Sequence, residues 1–245
     1  MDSEAFIKAV ERAKARPAGG IGTLAEKTLH SALKYYYEPD ETKHEAALCG
    51  FFADILNAEG VTEIQTGSFF HIDRKLAVFL EEYPVTLVCP VIRKKRIIYL
   101  DPETGEMTKP RSSPKTGRTE DVFRELVHIG KRLPDKNLIF VVPLIDADEY
   151  RVRREKKRRF HDKGYDKFEL VPTFLADERV FAEKEDWLML LPEGLDGFTV
   201  KELESALKLP RGLAGAMARS LFSAGALTRE KQGAGYVYFR TGEEK

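Results

Sequence analysis

The chain has 245 residues, which is enough for one large domain or two modest ones. Its 42% hydrophobic and 33% charged residues are typical of a globular protein and exclude wholesale disorder. The 40 basic and 40 acidic residues cancel, so total charge gives no argument for nucleic-acid binding, and any such argument must rest on local arrangement.

Residues 1–20 predict a short amphipathic helix, with Phe6, Ile7 and Val10 on one side and a break at Pro17. The stretch has no apolar segment of the kind found in secretory signals, so we expect no such signal. No apolar run in the chain approaches the roughly 18 residues that a membrane helix needs, and we therefore expect no membrane partner.

Residues 21–146 alternate between helical and strand patterns. In chain order they predict a helix from Thr23 to Tyr37, strands at 43–48, 51–57 and 61–66, a helix at 71–82, a buried strand at 85–92, a hairpin-like excursion, a helix at 119–130 and a buried strand at 137–146. Long apolar strands that alternate with helices favour an α/β fold with a mixed sheet flanked by helices.

Residues 147–194 are highly charged and lack a clear period, which predicts an irregular connector. Within them, the run RVRREKKRRF at 151–160 has seven basic residues and one acid. Such a tract could contact phosphates without reading sequence, although a solvated linker is the alternative interpretation. The candidate nucleic-acid-binding residues here are Arg151, Arg153, Arg154, Lys156, Lys157, Arg158 and Arg159.

Residues 195–245 read as a helix, a tight break, a second helix and a two-stranded hairpin, which is the pattern of a winged helix-turn-helix. Four basic residues are candidates for contact with DNA: Arg211, Arg219, Arg229 and Lys231. The second helix is rich in Ala and Gly and has few side chains able to reach a base edge. A protein-docking role for this module therefore stays open.

An acidic pair carries the chemical argument. Asp54 interrupts an apolar strand, while Glu63 and Gln65 share one face of the next strand. A short turn joins the two strands, so a hairpin would bring Asp54 close to Glu63, and Glu26 on the preceding helix could overhang the same face. Carboxylate oxygens are the ligands that Mg²⁺ prefers. Asp54 could instead cap a turn, and Glu63 could pair with Lys43.

An acidic helix residue followed by D-x8-E-x-Q across two strands, within an α-β-β-β-α-β order, resembles the PD-(D/E)XK nuclease superfamily. The segments GIGTLAEKTLH, EPDETKHE, ADI and EIQT also resemble an uncharacterised bacterial family that joins such a core to a C-terminal winged helix. The resemblance covers about residues 21–146 and implies a restriction-endonuclease-like fold.

The resemblance also implies site residues. Asp54 and Glu63 match the metal-binding acids, with Mg²⁺ or alternatively Mn²⁺ as the cofactor, and Glu26 matches the first-helix acid. Gln65 stands where the superfamily usually has a lysine, which positions the attacking water and offsets transition-state charge. Some active members of the superfamily also have Gln at this position, and others place the basic residue on the next helix, where Lys75 or Arg74 could serve. Loss of activity is the third possibility.

Three functions follow as expectations. The first is a metal-dependent DNA endonuclease with Glu26, Asp54, Glu63, Gln65 and Lys75 as catalytic residues. The second is an inactive nuclease-like DNA-binding regulator that uses the core as a scaffold or a homodimer interface. The third is a protein-interaction module that binds no nucleic acid. The only two cysteines lie far apart in apolar runs, which indicates reduced thiols and a cytoplasmic location.

Overall fold

The computed structural model describes residues 3–15, 24–154 and 164–242, with the backbone alone for residues 24–27. The helices are α1 (Ser3–Lys14), α2 (Leu24–Tyr37), α3 (Asp73–Glu82), α4 (Phe123–Leu126), α5 (Lys184–Leu188), α6 (Val200–Leu207) and α7 (Arg211–Ser223). The strands are β1 (His44–Leu48), β2 (Phe51–Asn57), β3 (Gly60–Ile64), β4 (Val85–Val88), β5 (Val91–Leu100), β6 (Arg111–Ser112), β7 (Leu138–Arg153), β8 (Tyr165–Phe181), β9 (Phe198–Thr199), β10 (Leu227–Gln232) and β11 (Gly235–Arg240).

The larger sheet is mixed. Strands β1, β2 and β3 form an antiparallel meander, and β3 then pairs in parallel with β4 after the crossover through α3. Strands β4 and β5 both run parallel to β7, where Val85 pairs with Leu138 and Val91 with Leu144. Strand β8 returns antiparallel along the other edge of β7. The single strand predicted at 85–92 is two strands in the structure, because β4 ends at Val88 and β5 begins at Val91. Pro90 lies between them and has no N–H to donate to a neighbouring strand.

Helices cover both faces of this sheet. Alternate side chains of the central strands enter two different apolar clusters, as Leu87 and Val88 do on β4. One cluster packs under α1 and α2, while the other packs under α3, α4 and the C-terminal helices. The α/β fold with a mixed sheet flanked by helices is therefore confirmed. The predicted helix at 119–130 is instead a short α4 between two 3₁₀ turns.

The prediction of an irregular connector at 147–194 is wrong for the described residues. The long strands β7 and β8 run through this region, and α5 follows them. The strands of this region lack a clear apolar alternation because several of their residues are charged. These charges pair across the sheet, as Asp148 does with Arg96 at 2.6 Å. Paired charges can occupy positions that alternation would reserve for apolar residues.

The C-terminal elements share the core of the larger sheet. Strands β9, β10 and β11 form a separate three-stranded sheet. Most of α7 is buried, and Leu213 and Leu221 lie in the same cluster as Phe123 and Trp187. The C-terminal segment is therefore packed against the main sheet's helices. In the part of the chain that the structure describes, no helix is both long and apolar enough to span a membrane.

Candidate functional site

Asp54 lies at a break in the alternation of β2. Its neighbours Ala53 and Ile55 are two residues apart, yet they enter different apolar clusters. On β1, Ala46 pairs with Ala53 and His44 with Ile55, so Glu45 lies between these pairs with a φ of 52°. A positive φ is costly for a glutamate, by about 1 to 3 kcal/mol, and such strain clusters at functional sites.

Backbone groups join Asp54 to Glu63. The Ile64 N–H donates to Asp54 Oδ2 at 2.7 Å, and the Asp54 N–H donates to Glu63 Oε1 at 3.2 Å. The two side chains therefore accept backbone hydrogen bonds next to the point where the regular pairing of β2 with β3 ends at Ile55 and Thr62. The structure thus brings together the two acids that the sequence singled out.

Helix α3 places a cation beside this pair. Lys75 Nζ lies 2.5 Å from Glu63 Oε2. The Glu63 side chain is only 4% exposed. Burial, and next the charge of Asp54, raise the pKa of Glu63 to about 7, although Lys75 acts in the opposite direction. Both Glu63 oxygens are engaged, one by Lys75 and one by the Asp54 N–H.

Helix α2 approaches Asp54 from another side. His30 Nε2 lies 3.4 Å from Asp54 Oδ1. Burial alone would raise the pKa of Asp54, but hydrogen bonds from His30 and the Ile64 N–H, with the charges of His30 and Lys75, lower it instead. Asp54 is therefore held as a carboxylate, while Glu63 beside it retains its proton more readily.

His30, Glu45 and Asp54 each offer one ligand atom, and these atoms all lie within 4.8 Å of one another. We call these three residues with Glu63 and Lys75 the acidic junction. One imidazole nitrogen with carboxylate oxygens fits a divalent transition metal such as Mn²⁺ better than Mg²⁺, which prefers oxygen alone. Lys34 pairs with Glu45 and would compete with such an ion.

Sequence reasoning missed His30 and Glu45. His30 comes four residues after Glu26, which places the two on one face of a helix, and this spacing was an available signal. The backbone of Glu26 lies in α2, but its side chain falls outside the described residues. No local sequence pattern marks Glu45. Its side chain reaches Asp54 only because its backbone adopts a positive φ between the paired residues His44 and Ala46 of β1.

The remaining catalytic candidate, Gln65, follows β3 directly. Its backbone N–H donates to the Val88 carbonyl at 2.8 Å, which anchors it at the end of β4. Its side-chain Nε2 donates to the Ser68 carbonyl at 2.7 Å. The amide is therefore tied to the loop before α3, while Lys75 supplies the positive charge at Glu63.

The first three arginines of the basic run lie at or just after the end of β7, and each has a different environment. Arg151 is buried and donates to Glu149 at 2.5 Å, Arg153 is exposed, and Arg154 lies 3.3 Å from Asp166. Lys156, Lys157, Arg158 and Arg159 lie outside the described residues. Among the three described arginines, Arg153 is the best placed to meet a phosphate.

The four C-terminal candidates are exposed. Arg211 and Arg219 lie on α7, and Lys231 lies on β10. The Arg229 guanidinium lies 4.2 Å from the ring centre of Phe222 and 4.3 Å from that of Tyr236. Cation–π contacts on both sides hold this arginine in one orientation at the surface.

Comparison with known proteins gives family membership and one relative. Residues 27–182 match the family described as Domain of unknown function (DUF8091). An uncharacterized protein of Treponema pallidum (strain Nichols) is 31% identical over 144 residues, which covers 58% of this chain and 57% of that protein. No solved structure matches the chain. The matched residues include strands β1 to β8 and all five residues of the acidic junction.

Proposed function

The chain belongs to the DUF8091 family, and we propose from the acidic junction that it is a metal-dependent nuclease that hydrolyses DNA phosphodiester bonds. The observation that carries the proposal is the convergence of Asp54 and Glu63 with the Lys75 ammonium at 2.5 Å from Glu63. The two acids, on adjacent strands, can hold a metal ion, and the lysine of the following helix can offset charge that develops on the phosphate.

The order of elements supports the same proposal. Helix α2, the β1–β2–β3 meander, α3 and a parallel β4 follow one another, with the acids on β2 and β3. This order resembles the restriction-endonuclease-like core of the PD-(D/E)XK superfamily. In that superfamily the lysine usually follows the second acid by two residues, and we propose that Lys75 of α3 replaces it here.

Each side chain then has a role. Asp54, with His30 and Glu45, would hold the metal ion, and Glu63 would complete the site once Lys75 turns from its carboxylate to the substrate. The bound metal would lower the pKa of a water molecule and neutralise charge on the phosphate. Lys75 would offset charge that develops in the transition state. Gln65 would position the loop before α3 through its bond to Ser68.

The C-terminal elements would hold the DNA. The order β9–α6–α7–β10–β11 resembles a winged helix, with β10 and β11 as the wing. Because most of α7 is buried, only a narrow stripe with Arg211 and Arg219 faces outward. We therefore propose that this module contacts phosphates rather than base edges, with Arg229 as a fixed cation on the wing.

Incubation of the full chain with plasmid, linear duplex and single-stranded DNA tests the proposal, in Mg²⁺, Mn²⁺ or EDTA. We expect cleavage in Mn²⁺ or Mg²⁺ and none in EDTA. Asp54→Asn and Glu63→Gln should lower the rate at least about 100-fold, because each removes a metal-facing charge. Glu59→Gln, on the exposed turn between β2 and β3, is the matched control and should cleave normally. Absence of cleavage in every condition, or cleavage that survives Asp54→Asn, would contradict the proposal.

One observation favours a second candidate, a DNA-binding regulator without cleavage. Both oxygens of Glu63 are already engaged by Lys75 and the Asp54 N–H, as in a purely structural ion pair. This candidate predicts DNA retention that weakens steeply with salt, no cleavage, and no effect of metal ions on binding. The same incubation and a salt titration of binding separate the two candidates.

A further inference from the structure

A cavity of about 460 Å³ opens where β5, β6, β7 and β8 meet, on strands that do not carry the acidic junction. Its lining combines two tyrosines, Tyr99 and Tyr165, with three cations, Lys109, Arg111 and Arg153. No acidic side chain is among the described residues that line it. As far as the described residues go, the cavity therefore presents aromatic surface and positive charge together.

The two rings are held rigidly. Their centres lie 6.0 Å apart and their planes are nearly perpendicular, at 86°. The buried Arg151 guanidinium lies 4.1 Å from the Tyr165 ring centre, and Glu149 fixes that guanidinium. Lys95 pairs with the other oxygen of Glu149 at 2.6 Å. A buried ion network thus supports the aromatic wall from the sheet side.

The three cations of the cavity are more exposed than its tyrosines, and one of them lies against a ring. Arg153 lies against Tyr99, with its guanidinium 4.9 Å from the ring centre. Lys109 and Arg111 are exposed and stand on either side of Pro110, two residues apart. A separation of two residues is about 7 Å in extended chain, which allows contact with neighbouring phosphates instead of a single one.

We propose that this cavity binds a nucleotide of a single-stranded nucleic acid, with its base against Tyr99 or Tyr165 and the flanking phosphates on Lys109 and Arg111. Aromatic rings beside cations are the usual elements of single-strand binding, because every base has a face that can stack. The volume lies within the roughly 300–1,000 Å³ typical of organic ligand sites and is far larger than a lone phosphate needs. This inference goes beyond the proposed cleavage and does not depend on the acidic junction.

The contribution of Lys109 and Arg111 to binding is tested by fluorescence anisotropy of a labelled thymidine oligonucleotide of about 12 nucleotides. The buffer contains EDTA, so that cleavage has no influence. Lys109→Ala/Arg111→Ala should weaken binding about tenfold and make the slope of log affinity against log salt shallower by about 1.4, because each lost phosphate contact accounts for about 0.7 on a single strand. Lys131→Ala/Lys136→Ala is the matched control, because both lysines are exposed and precede β7, at the strand end opposite Arg153. Equal affinity of the two double variants would overturn the inference.

The contribution of base stacking to binding is tested first with the unaltered protein. An abasic oligonucleotide of the same length should bind about tenfold more weakly, since it lacks the stacking surface. Tyr99→Leu/Tyr165→Leu should weaken binding of the normal oligonucleotide and leave binding of the abasic one unchanged, whereas Tyr99→Phe/Tyr165→Phe should behave like the unaltered protein. Equal binding of the normal and abasic strands would overturn the placement of a base. Thymidine monophosphate that binds as tightly as the oligonucleotide would overturn the assignment to a strand.

Discussion

The Lys75 ammonium and the Glu63 carboxylate meet 2.5 Å apart in the interior, although one residue comes from a helix and the other from the strand before it. The Lys75 side chain is 20% exposed and that of Glu63 is 4% exposed, so the pair is shielded from water on the glutamate side. When one partner of a buried ion pair is removed, the other charge stays buried without compensation. The resulting loss of folding stability is larger than the net stability that the intact pair contributes.

We expect Lys75→Met to lower the free energy of unfolding by about 3 kcal/mol at pH 8, where Glu63 is ionised. The loss should be smaller at pH 5.5, because the unpaired Glu63 takes up a proton and no longer carries charge. Urea unfolding at the two pH values measures both quantities. Lys136→Met, at an exposed lysine, should change stability by less than about 0.5 kcal/mol. A loss from Lys75→Met that is the same at both pH values would show that Glu63 does not respond to this lysine.

The raised pKa of Glu63 gives stability a definite pH dependence. The folded pKa of about 7 lies above the ordinary value of 4.5, so between these values the folded state binds more protons than the unfolded state. This group therefore stabilises the fold below pH 4.5, and its contribution is lost as pH rises to 7, by up to about 1.4 kcal/mol per pH unit. In EDTA, Glu63→Gln should flatten the profile over this range, whereas Glu59→Gln should retain it. Parallel profiles of Glu63→Gln and the unaltered protein would contradict the raised pKa.

Metal binding should appear as thermal stabilisation. An ion that binds only the folded state at about 100 times its Kd adds about 2.7 kcal/mol. We expect Mn²⁺ to raise Tm, and we expect His30→Ala and Asp54→Ala to remove this rise because they delete two of the three converging ligands. His71→Ala changes an exposed histidine instead and is the control. A rise in Tm that persists in both junction variants would place the ion elsewhere.

The shared core predicts one unfolding transition for the main sheet and the C-terminal segment. Leu213 of α7 is 2% exposed and lies in one cluster with Trp187 and Phe123. Leu213→Ala should cost about 2 to 5 kcal/mol and shift the fluorescence of the single tryptophan together with the far-ultraviolet circular dichroism. Met189→Ala, at a side chain that is 78% exposed, should have little effect. Two separate transitions would mean that the C-terminal segment unfolds independently.

The two cysteines should differ in reactivity. Cys49 is exposed and Cys89 is buried. Burial, and next the charge of Glu125, raise the pKa of Cys89 to about 12, so its thiol stays protonated and unreactive at pH 8. Iodoacetamide should therefore modify Cys49 alone in the folded chain and both residues in urea, as peptide mass spectrometry would reveal. Modification of Cys89 in the folded chain at the rate of Cys49 would contradict its burial.

Local pattern was sufficient for part of this architecture. The helical period of α2 and α3, the apolar runs of β4 and β7, and the short turn between β2 and β3 all follow from residues close in sequence. The same spacing predicted that Asp54 and Glu63 would approach each other, because a short hairpin leaves few ways to arrange its two strands.

Contacts between distant segments decided the rest. The sequence pattern did not reveal the second half of β7 or any of β8, because charged residues such as Asp148 lie in these strands. Only their pairing with partners such as Arg96 makes that burial tolerable. His30 and Glu45 reach Asp54 through the docking of α2 and a positive φ in β1. The spacing of His30 from Glu26 places both on one face of a helix, but no local pattern shows that this face meets Asp54, and Glu45 leaves no periodic signal at all. Covalent geometry sets the period of a single element, whereas the neighbours of a side chain depend on how elements far apart in the chain pack, and this packing decided the acidic junction.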